Sequence, residues 1–243
     1  MQTCMRKLWV LAVGCALVGQ ASASDEDAAS LDRIEVTGSR ISYRDLLDTP
    51  AIAITKRGDY LSQTFSLIND TRDEAGREQE IYATIGKRLE RADKRYTVLY
   101  EDTYPVELTR KNHRIELADD GKRPDTSRVM LRVRIDIDAA QADGNRQVES
   151  LRAFIRDTPK IGRTEIELAG DTALGMRKPE RYRYELIEAI AADAHRVRQS
   201  IGEGCAVELG GLNSRIEWER VGSVDLLLYV PYTMEVTGCG KPD

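Results

Sequence analysis

PERYRYELIEAIAADAHRVRQSIGEGCAVELGGLNSRIEWERVGSVDLLLYVPYTMEVTGCG, Pro179 to Gly240, is the stretch that decides the fold. In its first part Leu186, Ile190, Ala194, Val197 and Ile201 recur every three or four residues, so they form one apolar stripe on a helix. Pro179 stands where a missing N–H costs nothing, and Gly202 where a helix takes a left-handed cap. The period then changes from 3.6 to 2. Ile216, Trp218 and Arg220 alternate with Glu217 and Glu219, and Val224, Leu226, Leu228 and Val230 alternate beyond Gly222. A long hairpin folded about Gly222 would oppose Ile216 to Leu228 and Trp218 to Leu226, and would bring Cys205 to Cys239.

Upstream the chain alternates strands with helices. Leu31 to Thr37 reads as a strand, as do Ala51 to Lys56 and Tyr60 to Ile68. Asp70 or Thr71 is then expected to cap a helix with the stripe Ile81, Ile85, Leu89 and Ala92. Strands follow at Arg95–Tyr100 and Arg114–Leu117, and Ala118–Thr126 is dense in turn residues, which makes it an exposed loop. In Arg128 to Asp138 the residues Val129, Leu131, Val133, Ile135 and Ile137 face one way and Arg132, Arg134, Asp136 and Asp138 the other. That strand has one buried and one wet side. A helix through Val148, Leu151, Phe154 and Ile155 precedes a strand at Thr164–Leu168. Alternating strands interleaved with helices predict an α+β fold, with mainly antiparallel sheets covered by helices on one face and ending in a long helix and a C-terminal β-hairpin.

The N-terminus has the pattern of an export signal. Arg6 and Lys7 precede an apolar run from Leu8 to Gly19, and Ala21-Ser22-Ala23 supplies small residues for cleavage between Ala23 and Ser24. A run of about 12 residues is short of the roughly 20 that cross a membrane. The alternative is a lipoprotein signal ending at Cys15. Removal of residues 1–23 takes Arg6 and Lys7 and no acid, so the formal charge moves from −5 to −7 over 220 residues. Residues 24–30 form a flexible acidic and small-residue N-terminus, and 31–240 one domain, or two subdomains meeting near 118–127. No further apolar run approaches membrane length, and a mildly acidic surface argues against nucleic acid as a partner. Cys4 and Cys15 fall within the signal. The remaining pair, Cys205 and Cys239, in an exported chain reads as a disulfide, worth about 3–4 kcal/mol on the loop-entropy model.

The sequence offers little for catalysis. Its two histidines, His113 and His195, are far apart in sequence and belong to no metal-ligand motif. There is no nucleophile elbow or phosphate loop, and no cofactor is implied. Asp136 and Asp138 share a face and suit paired-carboxylate chemistry, with charge pairing to Arg132 and Arg134 as the structural reading. Arg181, Tyr182, Arg183 and Tyr184 form the one cluster suited to an anionic or aromatic ligand, against a reading in which they lie over the sheet as first-turn residues.

Ile34-Glu35-Val36-Thr37-Gly38 near the start of the chain, the charged helix after it, the alternating strand Val129–Ile137, and Glu188-Ala189-Ile190-Ala191-Ala192-Asp193-Ala194-His195-Arg196-Val197 in the last helix resemble the SIMPL-domain family. The Gly204–Leu209 strand and the final strand Leu226–Val236 are also similar, so the likeness spans roughly residues 31–237. It implies an exported bacterial protein of the periplasm or outer-membrane fraction, linked to oxidative-stress defence. No catalytic residues are implied, and the partners would be copies of the chain or other envelope proteins. A second stretch, Val36-Thr37-Gly38-Ser39-Arg40-Ile41 with Asp48-Thr49-Pro50-Ala51, is similar to the segment opening the plug of TonB-dependent receptors. About 220 residues with three helices cannot supply such a barrel, so this likeness implies only a plug-like fragment.

Overall fold

The computed structural model describes residues 33–36, 50–101, 104–121, 123–202 and 204–239. The export signal, the Ala23–Ser24 cleavage, Cys15, residues 24–30 and most of the plug-like stretch lie outside them. Twelve strands and three helices follow one another along the described chain. They are β1 (Arg33–Val36), β2 (Ile54–Arg57), β3 (Tyr60–Asn69), α1 (Glu74–Arg91), β4 (Tyr96–Glu101), β5 (Pro105–Glu107), β6 (Ala118–Asp119), β7 (Ser127–Asp136), α2 (Gly144–Arg156), β8 (Glu165–Arg177), a 3-10 turn (Pro179–Tyr182), α3 (Arg183–Ile201), β9 (Ala206–Gly210), β10 (Glu217–Arg220), β11 (Asp225–Tyr229) and β12 (Thr233–Thr237). All their pairings are antiparallel. The α+β architecture read from the sequence is the one observed.

A large sheet has the order β1-β8-β3-β7-β4-β5, with β6 on the side of β7. It draws strands from both sides of residues 118–127, and its core is continuous with that of the smaller β10-β11-β2 sheet. Phe65 opposes Leu131, Leu67 opposes Val129, and Val98 opposes Val133, which places these apolar side chains on one face. Helices α1 and α2 close that face with Ile81, Ile85, Leu151 and Ile155, all fully buried. The opposite face pairs Ser62 with Arg134, Thr64 with Arg132 and Ser66 with Met130. β7 therefore has its expected buried and polar sides.

α1 starts one turn later than the sequence suggested. Its cap is Asp73, whose carboxylate accepts the Gly76 N–H at 2.9 Å. Asp70 is occupied by a bidentate pair with Arg163, at 2.7 and 2.9 Å. Thr71 donates to Glu80. The buried stripe of α1 begins and ends in arginine. Arg77 donates to Ser127 Oγ at 2.9 Å, and Arg88 has its guanidinium carbon 4.1 Å from the centroid of the Phe65 ring while donating to the Ile155 carbonyl at the end of α2. Burial, with Arg91 next to it, pulls the Arg88 guanidinium down to about 9.

Glu80 ties α1 to the start of β8. Its Oε2 accepts from Asn69 Nδ2 at 2.7 Å, Arg163 N–H at 2.8 Å and Thr71 Oγ1 at 2.9 Å. These donors, Asn69 first, hold the carboxyl below its ordinary 4.5. Because the folded value is the lower one, Glu80 stabilises fully above the unfolded value, and that contribution is lost as pH falls through the folded value. Glu80→Gln is therefore expected to lower the urea midpoint at neutral pH, and the gap to the parent should narrow as pH falls from neutral to below 4.5. A gap unchanged across that range would contradict this account.

β8 runs nine residues beyond the expected Thr164–Leu168, through to Arg177. Between Ser62/Ala173 and Thr64/Ala169 it carries a bulge at Gly170-Asp171-Thr172. The bulge is filled by the Gln63 carboxamide, which donates to the Ala169 and Gly170 carbonyls and accepts from Thr172 Oγ1 at 2.6 Å. Gly170 has φ +63° there. The predicted strand at Arg114–Leu117 is absent, and the short β6 stands just after it.

The C-terminal region departs from the long hairpin in its register. β10 and β11 pair Trp218 with Leu228 and Arg220 with Leu226, two residues from the expected alignment. An offset of two keeps every side chain on its face, and the turn closes with Val221 and Gly222 N–H groups on the Asp225 carbonyl. β9 and β12 form a separate two-stranded ribbon, with Ala206 opposite Thr237 and Val207 opposite Val236. β11 also pairs with β2, which joins the small sheet to the start of β3. Gly202 ends α3 with the positive φ expected of a glycine cap, at φ 100°, ψ 162°, although its ψ lies outside the left-handed helical region. No helix among the described residues is long and apolar enough to cross a membrane.

Candidate functional site

Three of the four residues of the 181–184 cluster are engaged in holding the fold. Arg181 donates to Asp59 Oδ1 at 2.9 Å, at the corner where the chain passes from the small sheet into β3. Asp59 also accepts the Arg177 N–H at 2.6 Å. Arg183 donates to the Leu212 carbonyl at 2.6 Å and the Ser214 carbonyl at 2.8 Å, fastening the loop before β10. The Tyr182 ring lies between Arg181, 4.8 Å from its centroid, and Lys56, 5.0 Å away, and Lys56 pairs with Glu185 at 2.8 Å. Tyr184 points to solvent and is 75% exposed. None of the four lines a cleft described below.

The carboxylate pair of β7 is likewise separated by its partners. Asp136 accepts from Arg177 at 2.6 Å, whereas Asp138, beyond the end of the strand, accepts the Ala140 N–H at 2.8 Å. His195 is exposed on α3 beside Gln199, and no group of three or more His, Cys, Asp or Glu able to hold a metal exists among the described residues. His113 lines an open cleft of about 700 Å³ between α1 and the 110–114 loop. Ala83 and Gly86 form part of that cleft, Glu78 lines it from α1, and Arg110 and Arg114 line it from the loop. Tyr82 fastens the loop by donating to the Ile115 carbonyl at 2.7 Å, and burial raises its phenol above the usual value.

Sequence reasoning did not find the second cleft, of about 370 Å³, where the β8 bulge meets the first turns of α2 and the β10–β11 turn. Arg220 forms its floor and is 7% exposed. Its Nε donates to the Gly222 carbonyl at 3.0 Å, Nη1 to the carbonyls of Thr172 at 2.6 Å and Val36 at 3.4 Å, and Nη2 to that of Ser223 at 2.8 Å. Four carbonyls from three segments thus converge on one guanidinium, and none of these acceptors is a carboxylate. Burial pulls it below its ordinary value; Asp171 acts against that and Arg152 adds to it. Arg152 reaches in from α2, its Nε donating to Thr172 Oγ1 at 3.0 Å. Asn145 Oδ1 accepts from the Ser223 hydroxyl across the mouth.

Comparison with protein-family models, with curated proteins and with solved structures returns no match.

Cys205 and Cys239 are bonded, with Cα atoms 4.2 Å apart. The sequence reached this pair through one continuous ladder, but the geometry that makes it is local. Ala206 opposite Thr237 is the last pair of the β9–β12 ribbon, and the cysteines close the ribbon just beyond it. Both cysteines lie toward solvent, Cys239 exposed and Cys205 half-buried.

Proposed function

We propose that the mature chain works in the periplasm as a non-catalytic, SIMPL-like protein that acts by assembly, with copies of itself or with other envelope proteins, in envelope maintenance or stress tolerance. The observation that carries this reading is the Cys205–Cys239 bridge. It closes the open end of a two-stranded ribbon, an element of marginal stability by itself, and such bridges persist in oxidising compartments. The leader Arg6-Lys7 with Leu8–Gly19 supports the same address, as does the likeness of residues 31–237 to exported envelope proteins. Exposed Trp218 and Val221 at the outer strand β10, and Tyr104 and Val106 at β5, supply apolar contact surface for a partner.

The test is intact mass and light scattering on protein recovered from the envelope fraction. The expected result is a chain starting at Ser24, lighter by one hydrogen at each of Cys205 and Cys239, with a defined oligomeric mass. Reductant should lower the melting temperature by roughly 10 °C, from a bridge worth about 3–4 kcal/mol. A monomer indifferent to reductant would remove the assembly reading. The second reading, a small-ligand-binding module, rests on the clefts that line α1 and the β8 bulge. Its outcome is ligand-dependent thermal stabilisation, lost on substitution of a residue that lines the occupied cleft, Arg114 for the first or Arg152 for the second, and retained in Tyr182→Ala.

A further inference from the structure

We propose that the cleft between the β8 bulge, α2 and the β10–β11 turn is a binding site for a small oxyanion, the phosphate or carboxylate group of a hydrophilic solute, held between Arg152 and Arg220. This goes beyond the assembly reading and stands or falls independently of it.

A guanidinium carries five N–H groups. Arg220 commits four of them to the carbonyls of Gly222, Thr172, Val36 and Ser223, which leaves one, on Nη2, without an acceptor among the described residues. The four carbonyls fix the buried group in place, so an incoming anion need not order it. Arg152 is positioned by the same residue: Thr172 gives its carbonyl to Arg220 and its hydroxyl oxygen to Arg152. Arg152 has its Nη1 3.6 Å from Glu149, and among the described residues Nη2 has no partner. With Asn145 Oδ1 turned to the Ser223 hydroxyl, the Asn145 amide is left as a neutral donor at the mouth. Guanidinium pairs of this kind match the geometry of phosphate and carboxylate oxygens.

The charge count points the same way. Two guanidinium groups meet in the cleft, against Asp171 at its rim. Glu149 is shared between Arg152 and Arg156, the latter at 3.4 Å, so it does not neutralise Arg152 alone. The excess is positive. Size and lining narrow the ligand further. A volume of about 370 Å³ lies at the low end of the range for small-molecule sites (roughly 300–1,000 Å³). Among the described lining residues Val148 is the one apolar side chain of note, so these residues offer polar contacts and little surface for an acyl chain or aromatic ring.

Asp171 makes the proposal testable in two directions. Its carboxylate is the internal counter-charge that a bound anion must approach, so removing it should tighten binding while removing Arg152 weakens it. The experiment is a thermal melt and calorimetric titration of the mature chain with inorganic phosphate and, separately, with acetate, each against sodium chloride at constant ionic strength. The expected result is a saturable rise in melting temperature with one or both oxyanions, lost about tenfold or more in Kd in Arg152→Gln and gained several-fold in Asp171→Asn. A response to phosphate alone assigns a phosphoryl ligand, and a response to acetate assigns a carboxylate. Melting temperatures without anion verify that both variants fold. No saturable shift with either anion, a shift matched by chloride, or equal shifts in parent and both variants would overturn the proposal.

Discussion

Arg220→Ala is expected to be among the most damaging single substitutions in this chain, lowering stability by about 3 kcal/mol or more. Among the described residues the side chain closes no ion pair. It satisfies the carbonyls of Gly222 and Ser223 in the β10–β11 turn, Thr172 in the β8 bulge and Val36 at the end of β1. Removing it strands the Thr172 carbonyl in a fully buried position and the other three in part-buried ones, and a buried unsatisfied group costs about 1–3 kcal/mol. A cavity is added where the guanidinium and its stem lay. Against this, alanine relieves the cost of burying a cation, which burial already strains enough to pull the group below its ordinary value. The acceptors outnumber that relief, so the net sign is a loss. For a chain of this length the melting temperature should fall by roughly 10 °C. Arg220→Lys retains the charge but cannot point donors at four carbonyls in different directions, and it should recover only part of the loss. Full recovery with lysine would mean that charge, and not the donor fan, holds the turn to the bulge.

The sequence carried a trace of this residue. Arg220 stands in the inward phase of its strand, in step with Ile216 and Trp218, and an arginine in an apolar phase marks either a buried polar anchor or an edge. What it could not carry is the identity of the acceptors. The Thr172 carbonyl lies 48 residues upstream and the Val36 carbonyl 184. The same distinction runs through the fold. The stripe of α3 and the alternation of β7 were legible because burial on one side imposes a period on consecutive residues. The second half of β8 was not, since Ala169-Gly170-Asp171 reads locally as a turn. It remains strand because Gln63, more than a hundred residues away, fills the bulge with its carboxamide. The hairpin register was missed by two for a related reason: a two-residue slip leaves every face unchanged, so hydrophobic pattern alone cannot distinguish the alignments. The disulfide survived that error because it depends only on the terminal pair of the separate β9–β12 ribbon.

Gly175→Ala is the second substitution expected to be severe, and here the cause is space. Gly175 lies on β8 between Tyr60 of β3 and Glu35 of β1. The Tyr60 ring crosses directly over it: a Cβ added at Gly175 would stand 2.0 Å from Tyr60 Cζ, 2.3 Å from Cε2 and 2.5 Å from the hydroxyl oxygen. Ordinary contact begins near 3.4 Å, so the ring must move by more than an ångström. It has little room to do so. Tyr60 is fully buried and lies between two guanidinium groups, Arg177 at 5.1 Å and Arg134 at 5.5 Å from the ring centroid. Overpacking in a close-packed site typically costs about 1–3 kcal/mol, and a clash with a ring boxed in on both sides belongs at or above the top of that range. The diagnostic measurement is a double-mutant cycle with Tyr60→Leu, which removes the ring atoms that clash. Tyr60→Leu alone should destabilise through lost packing and lost cation–π contact. In its background, however, Gly175→Ala should cost no more than about 1 kcal/mol, which gives a coupling of about 2 kcal/mol. If the two losses simply add, the intolerance at 175 has another source, and backbone freedom at this sheet position would replace the ring as its explanation.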